Sequence, residues 1–222
     1  MAPTPSDGDA NGYADVRMAM VERQLRRRGI EDRRVLDAFR RVPRHHFVPA
    51  SYGGEAYADK PLPIGRSQTI SQPYIVAYML EQLHLRPGDR VLEIGTGSGY
   101  ETALLAELAE AVYTVEILGD LQKRARRCLT ELGYGNVYFR IGDGHLGWPE
   151  AAPYDAVVVS AAPREVPEAL IRQLREGGRL VVPVGMDVQD LLLLTRRGSG
   201  AEVTRKLSVK FVPLTRGGRG RA

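Results

Sequence analysis

The 222-residue chain carries 31 Lys and Arg against 27 Asp and Glu, a net charge of +4, and is 43% hydrophobic and 26% charged. That composition suits a soluble domain with a sizeable core and excludes collagen-like, low-complexity and disulfide-built chains. No apolar run approaches the ~20 residues of a membrane span, residues 1–12 hold no signal-peptide core, and the single Cys128 has no partner for an internal disulfide. A cytoplasmic protein with no membrane association is expected.

Residues 1–12 are polar and small, which predicts a disordered tail. Two amphipathic helices are expected over 14–28 and 31–42, closed by Gly29 and Pro43. Met18, Val21 and Leu25 recur at helical spacing, which puts the arginines of 23–28 on a solvated face. These basic runs lack the interleaved aromatics that stack on bases, so no nucleic-acid partner is expected. Residues 43–72 are dense in Pro, Gly and aromatics without periodicity, and so long an irregular stretch is usually functional.

A helix over 74–85 and the turn 86–89 lead into alternating signals. Strands are predicted at 90–94, 111–116, 136–141, 154–160 and 178–184, with helices at 99–109, 119–132 and 167–175 between them. The runs 190–197 and 203–214 read as an antiparallel pair at one edge. The fold class is therefore α/β, a doubly wound, mostly parallel seven-stranded sheet with an N-terminal helical extension. One domain over 13–222 is expected: 13–72 as helices and substrate-side segment, 73–216 as cofactor-binding core, and 217–222 as a basic tail.

The first strand ends in VLEIGTGSGY, with Gly95, Gly97 and Gly99 alternating with Thr96 and Ser98. Such a turn lets backbone N–H groups approach a ligand at a helix N-terminus. Its G-x-G-x-G spacing differs from the G-x-G-x-x-G of dinucleotide enzymes. Glu93, two residues upstream, would repel a pyrophosphate and attract a cation, which points to S-adenosylmethionine rather than NAD. Ligands of such sheets lie beyond the strands' carboxyl ends. There Glu116 is expected to accept the hydroxyls of a ribose, and Asp143 the exocyclic amine of an adenine.

Other chemistries lack their signatures. The histidines (His45, His46, His84, His145) and Cys128 show no metal-ligand spacing, so no metal is expected. No G-x-S-x-G elbow is present. After the fourth strand the chain reads Ser160-Ala161-Ala162-Pro163, where methyltransferases acting on adenine, cytosine or glutamine nitrogen carry an Asn/Asp-Pro-Pro-aromatic signature.

Together with the glycine turn, the segments PIGRSQTISQPYIVAYMLEQL (63–83), GDGHLGW, YDAVVVSAAPREVPEALIRQLREGGRLVVPVG and FVPLT closely resemble the bacterial protein-L-isoaspartate O-methyltransferases, over residues 16–215. The resemblance implies a class I, Rossmann-like methyltransferase that uses S-adenosyl-L-methionine. Its substrates would be isoaspartyl-containing proteins and peptides, methylated on the free α-carboxyl. The ester then closes to a succinimide, whose hydrolysis returns some aspartate.

By the same resemblance Ser71 is the active-site serine. Gly95, Ser98, Glu116, Asp143, Gly144 and Thr215 fall at cofactor positions, with Glu93, Thr96, Gly97 and Gly99 completing the loop. Thr69, Ile70, Ser71, Tyr74 and Val212 border the substrate. Tyr74 stands where animal members carry a histidine, so that contact does not transfer. A monomer is expected.

A carboxylate, with a pKa near 4, is ionised at neutral pH and needs no general base. Alignment of oxygen, methyl carbon and sulfur can supply roughly 7–11 kcal/mol. Two readings of Ser71 stand side by side: a hydroxyl that orients the carboxylate, and an N-cap for the helix at Pro73. A methyltransferase for ordinary aspartate in a dedicated peptide, and a nucleic-acid methyltransferase, remain alternatives.

Overall fold

The computed structural model describes residues 12–216; apart from Gly12, the tails expected over 1–12 and 217–222 lie outside them. The first helical run folds as α1 (Tyr13–Met20), passes through a π turn at Val21–Leu25 and ends in a 3-10 turn at Arg26–Arg28. Gly29 closes it in a left-handed conformation, φ 92°. Met20, Val21 and Leu25 are buried whereas Met18 is exposed. The buried residues Arg17, Met20, Val21 and Leu25 stand at i, i+3, i+4 and i+8, so the seam facing the core runs through Met20 and leaves Met18 outside it. Arg26 pairs with Glu22, and Arg28 with Asp59. Helix α2 (Arg33–Arg41) starts at Asp32, whose side chain accepts from the backbone N–H groups of Arg34 and Val35.

The stretch from 43 to 72 is more regular than its composition implies. It holds 3-10 turns at Arg44–Phe47 and Ala50–Glu55, then an antiparallel hairpin of β1 (Leu62–Gly65) and β2 (Gln68–Ile70). Strands of four and three residues are too short to show alternation. The turn is made by Arg66 and Ser67, both at positive φ, instead of an Asn-Gly pair. Helix α3 (Pro73–Leu83) follows with proline in its first turn.

From there strands and helices alternate: β3 (Arg90–Ile94), α4 (Tyr100–Leu108), β4 (Ala111–Glu116), α5 (Gly119–Glu131), β5 (Val137–Ile141), β6 (Tyr154–Val159), α6 (Glu168–Arg172), β7 (Leu174–Gly185), β8 (Gln189–Arg197) and β9 (Gly200–Val209). The seven-stranded sheet runs in the order β5-β4-β3-β6-β7-β8-β9. Its first five strands are mutually parallel, and β8 and β9 are added antiparallel at one edge. Strands near the middle bury side chains on both faces. Val91, Val112, Val158 and Val181 face the N-terminal helices, α3 and α4, while Leu92, Val115, Val157 and Leu180 face the opposite layer.

Two boundaries differ from expectation. Helix α6 stops at Arg172 because β7 already begins at Leu174, pairing with Tyr154 before a shift in register resumes at Ala156 and Arg179. At the chain's end β9 stops at Val209, and residues 211–215 leave the sheet edge. That segment crosses to the end of β6, where the Ala162 N–H donates to Val212 O and the Leu214 N–H to Ala162 O, each at 2.8 Å. A run read as strand to 214 therefore becomes a strap over the strands' carboxyl ends. After β3 the chain winds to one side through β4 and β5, then returns to the other side of β3 through β6. The crevice at that reversal holds the site.

Candidate functional site

The loop after β3 is held by hydrogen bonds to neighbouring strands. The Gly95 N–H donates to Val115 O at 2.8 Å, and the Ser160 N–H to Ile94 O at 2.9 Å. Thr96 Oγ1 and Thr114 Oγ1 lie 2.5 Å apart. Gly99, at φ 89°, is the N-cap of α4, and a side chain there would crowd Ala125. Gly99 thus shapes the loop from behind and does not face the crevice. Gly144 has a different constraint: a Cβ on it would stand 2.3 Å from Ile94 Cγ2.

The cavity in front of this loop is lined chiefly by Gln68–Ser71 of the hairpin, Ile94–Ser98 with Tyr100 and Glu101, Val115–Leu118, Gly144, Ser160–Ala161, and Val212–Thr215 of the strap, together with Val76 and Leu121. It thereby gathers Thr69, Ile70, Ser71, Gly95, Thr96, Gly97, Ser98, Glu116, Gly144, Val212 and Thr215, which are far apart in sequence. Among the described residues its charged side chains are two carboxyls, Glu101 and Glu116, and no Lys, Arg or His lines it. A cleft of about 470 Å³ opens beside it, bordered by Pro61, Ile75, Lys210 and Phe211. Thr69, Ser71, Ser160 and Val212 line both.

Glu116, at the end of β4, accepts three backbone N–H bonds of 2.9 Å, from Gly97 on Oε2 and from Ile117 and Leu118 on Oε1. A carboxylate has about four acceptor sites, so one remains on Oε2. Accepting both hydroxyls of a ribose requires one backbone donor to give way, a tighter condition than the sequence suggested.

Besides Gly99, three expected site residues lie elsewhere. Glu93 is not a loop carboxylate facing a ligand: it is fully buried in β3, where one oxygen accepts from Thr102 Oγ1 at 2.6 Å. Burial first, then the neighbouring Glu101, hold its carboxyl well above the usual range. Asp143 borders the adjoining depression rather than the cavity, and its Oδ1 accepts from the His145 N–H at 2.9 Å. Tyr74 lies outside both cavities' linings, with the Arg28 guanidinium 3.5 Å above its ring.

Ser71 does not cap α3. The N-cap is Gln72, with no side-chain capping bond, and the orphan N–H of Tyr74 goes to Asp59 Oδ1 at 3.2 Å. Ser71 is instead fixed through its carbonyl, which accepts from Arg44 Nη2 at 3.0 Å. Arg44 is fully buried, donates through Nε to Ala56 O at 2.7 Å, and lies 4.8 Å over the Tyr100 ring. Burial lowers its pKa to about 10.

The sequence reading missed Arg44 and Glu101. Glu101 shares a helical face with Leu104, Leu105 and Leu108, all buried; an acid on an apolar stripe was the available signal. Burial, opposed by the Ser160 hydroxyl, pushes its pKa up to about 7. Among the described residues no group of His, Cys, Asp and Glu could hold a metal ion, and no helix is long and apolar enough to cross a membrane.

A seven-stranded doubly wound sheet, with an acid-walled, phosphate-averse cavity beyond its strand ends, defines a class I S-adenosylmethionine-dependent methyltransferase. Comparison with known proteins narrows this. Residues 16–219 match the family model for protein-L-isoaspartate(D-aspartate) O-methyltransferase. A protein-L-isoaspartate O-methyltransferase of Gloeobacter violaceus is 57% identical over 89% of this chain and 97% of its own, and one of Methylorubrum extorquens is 56% identical over 97% and 95%. Among solved structures, a Plasmodium falciparum protein described as a putative protein-L-isoaspartate O-methyltransferase in complex with S-adenosyl-L-homocysteine superposes with a TM-score of 0.80. It is 28% identical, covering 90% of this chain and 99% of that one. The chain belongs to the protein-L-isoaspartate O-methyltransferase family.

Proposed function

We propose that the chain repairs damaged proteins by transferring a methyl group from S-adenosyl-L-methionine to the free α-carboxyl of L-isoaspartyl residues. The observation that carries the reading is the junction of two cavities at Ser71. Among the described residues the inner one has only carboxyls as charged walls and suits a cationic, phosphate-free nucleoside; the outer one, with Lys210 on its border, suits an anionic peptide.

The residues present fit the cofactor. Glu116, with the glycine loop, would hold the ribose, Gly144 would flank the adenine with Asp143 reaching it from the adjoining depression, and Thr215 would close the cavity from the strap. When bound, S-adenosylmethionine supplies an electrophilic methyl on a sulfonium. Ser71, at the wall shared by both cavities, would donate its hydroxyl to the incoming carboxylate and aim one oxygen at that methyl. Because the carboxylate is already ionised, no side chain needs to accept a proton. Thr69, Ile70 and Val212 border the same opening and would fix the flanking peptide. The extra main-chain methylene of an isoaspartyl residue distinguishes its carboxyl by position alone.

The domain division carried forward is 13–72 as the substrate-side part and 73–216 as the cofactor core. The enzyme is proposed to act as a cytoplasmic monomer, in keeping with a lone, half-buried Cys128 whose pKa burial raises to about 12. Labelled methyl transfer to an isoaspartyl peptide and to its aspartyl twin tests the reading. Transfer to the isoaspartyl peptide alone is expected; equal transfer to both overturns it in favour of a dedicated aspartyl substrate.

A further inference from the structure

Behind the glycine loop lies a pair of buried carboxyls that no cation among the described residues balances. Glu101, in the first turn of α4, is 8% exposed and lines the cavity. Its Oε2 accepts from Ser160 Oγ, while Oε1 is buried without a hydrogen-bond partner. Glu93 lies close enough for the two to influence each other's charge, and one of its oxygens is likewise buried and unpartnered. The groups facing this pair are Ser160 from the end of β6, Thr102 from α4, and Thr114 and Glu116 from β4. None is basic. Buried carboxylates normally have an ionic or multiply hydrogen-bonded partner, and here one oxygen of each has none.

The geometry supplies what is missing from one side only. Glu93 is sealed in the sheet, whereas Glu101 reaches the cavity wall beside Ser160, at the border of both cavities. We propose that Glu101 is the residue by which this cavity selects a cationic cofactor, its carboxylate receiving the sulfonium or the α-ammonium of S-adenosylmethionine while Ser160 Oγ holds that carboxylate in place. This rests on the cofactor reading above and adds to it a specific charge contact.

The consequence is proton-linked binding. Without ligand, Glu101 titrates near pH 7; a cation against it favours the ionised form, and the displaced proton passes to the buffer. Affinity therefore rises with pH up to about 7. If the sulfonium is the partner, transfer forms the C–O bond of the ester and breaks the C–S bond, whose electron pair stays on sulfur. The cation disappears, Glu101 takes a proton back from solvent, and the neutral product is held less tightly than the cofactor.

Calorimetry on the full chain tests this with S-adenosylmethionine and S-adenosylhomocysteine. Titrations at about pH 6.5, where both ligands' α-ammonium groups are charged, are run in two buffers of different ionisation enthalpy. A fraction of a proton released per cofactor bound is expected, together with an affinity that rises severalfold between about pH 5.5 and about pH 7. Release with both ligands assigns the ammonium as the partner, and release with S-adenosylmethionine alone assigns the sulfonium. In Glu101→Gln the release should vanish and the pH dependence flatten. The wild-type affinity profile stands by itself should that variant fold poorly. Binding without proton release, or release unchanged in Glu101→Gln, overturns the role of Glu101. Failure of both ligands to bind at any pH overturns the cofactor reading instead.

Discussion

Ser71 separates two explanations that looked alike in sequence. A serine two residues before Pro73 could have been a helix cap, but Gln72 holds that position and Asp59 satisfies the Tyr74 N–H. Removing the Ser71 hydroxyl should therefore leave the melting temperature almost unchanged. If it orients the substrate carboxylate, Ser71→Ala lowers kcat and kcat/KM together by about ten- to a thousandfold, or roughly 1.4–4 kcal/mol. Turnover and thermal unfolding measured on one preparation decide it; a variant with full kcat removes Ser71 from the reaction. Glu116 should behave differently, since its carboxylate secures three backbone N–H groups of the loop and of the chain after β4. Glu116→Gln keeps the shape but loses charge-assisted bonds worth roughly 1.5–3 kcal/mol each at most. Both stability and cofactor affinity should fall, the latter by about ten- to a hundredfold by calorimetry. A loss of affinity without a loss of stability would mean that those bonds do not hold the apo loop.

Between elements, a tight fit occurs where the turn after β5 crosses the end of β3. Gly144 has no steric room for a methyl group: the added Cβ would lie 2.3 Å from Ile94 Cγ2. Gly144→Ala should displace the last residue of β3 and with it the cavity floor, costing about 1–3 kcal/mol. Trimming Ile94 to Ala in the same chain removes the clashing atom. The double variant should then be destabilised by less than the sum of the two single changes, as read from a denaturation cycle; simple additivity would place the strain elsewhere. Such packing explains how far the sequence could be read. The alternation of strands and helices was visible because each long element carries its own period. The hairpin of β1 and β2 was hidden by strands too short for a period and a turn without its usual residues. The carboxyls posed a harder problem. Glu93 and Glu116 both stand near strand ends, but a central parallel strand is buried on both faces, so alternation cannot tell which acid points into the sheet and which toward the loop. Glu101 resembled any exposed helix acid until its stripe was seen to be wholly buried.

Taken over the whole molecule, Glu93 and Glu101 give stability an unusual dependence on pH. Both carboxyls have folded-state values above those of an unfolded chain, chiefly from burial. Between the unfolded value near 4.5 and the folded value of about 7 for Glu101, the native state holds a proton that the unfolded state has released. Stability from this group is therefore greatest at the acid end of that window and declines as pH rises through it, opposite to the usual behaviour of a paired Asp or Glu. The shift corresponds to a change on the order of 3 kcal/mol across the window, or several degrees of melting temperature for a chain of this size. Glu101→Gln cannot titrate, and it relieves Glu93 of one like charge, so both contributions shrink together. Other groups titrate equally in the two proteins, which makes the difference between them the informative quantity. Melting curves of ligand-free wild type and Glu101→Gln at pH about 5 and about 7.5 should show the variant gaining on the wild type at the higher pH. A difference that is the same at both pH values would mean that Glu101 is already ionised in the folded protein, with a countercharge supplied from within the chain.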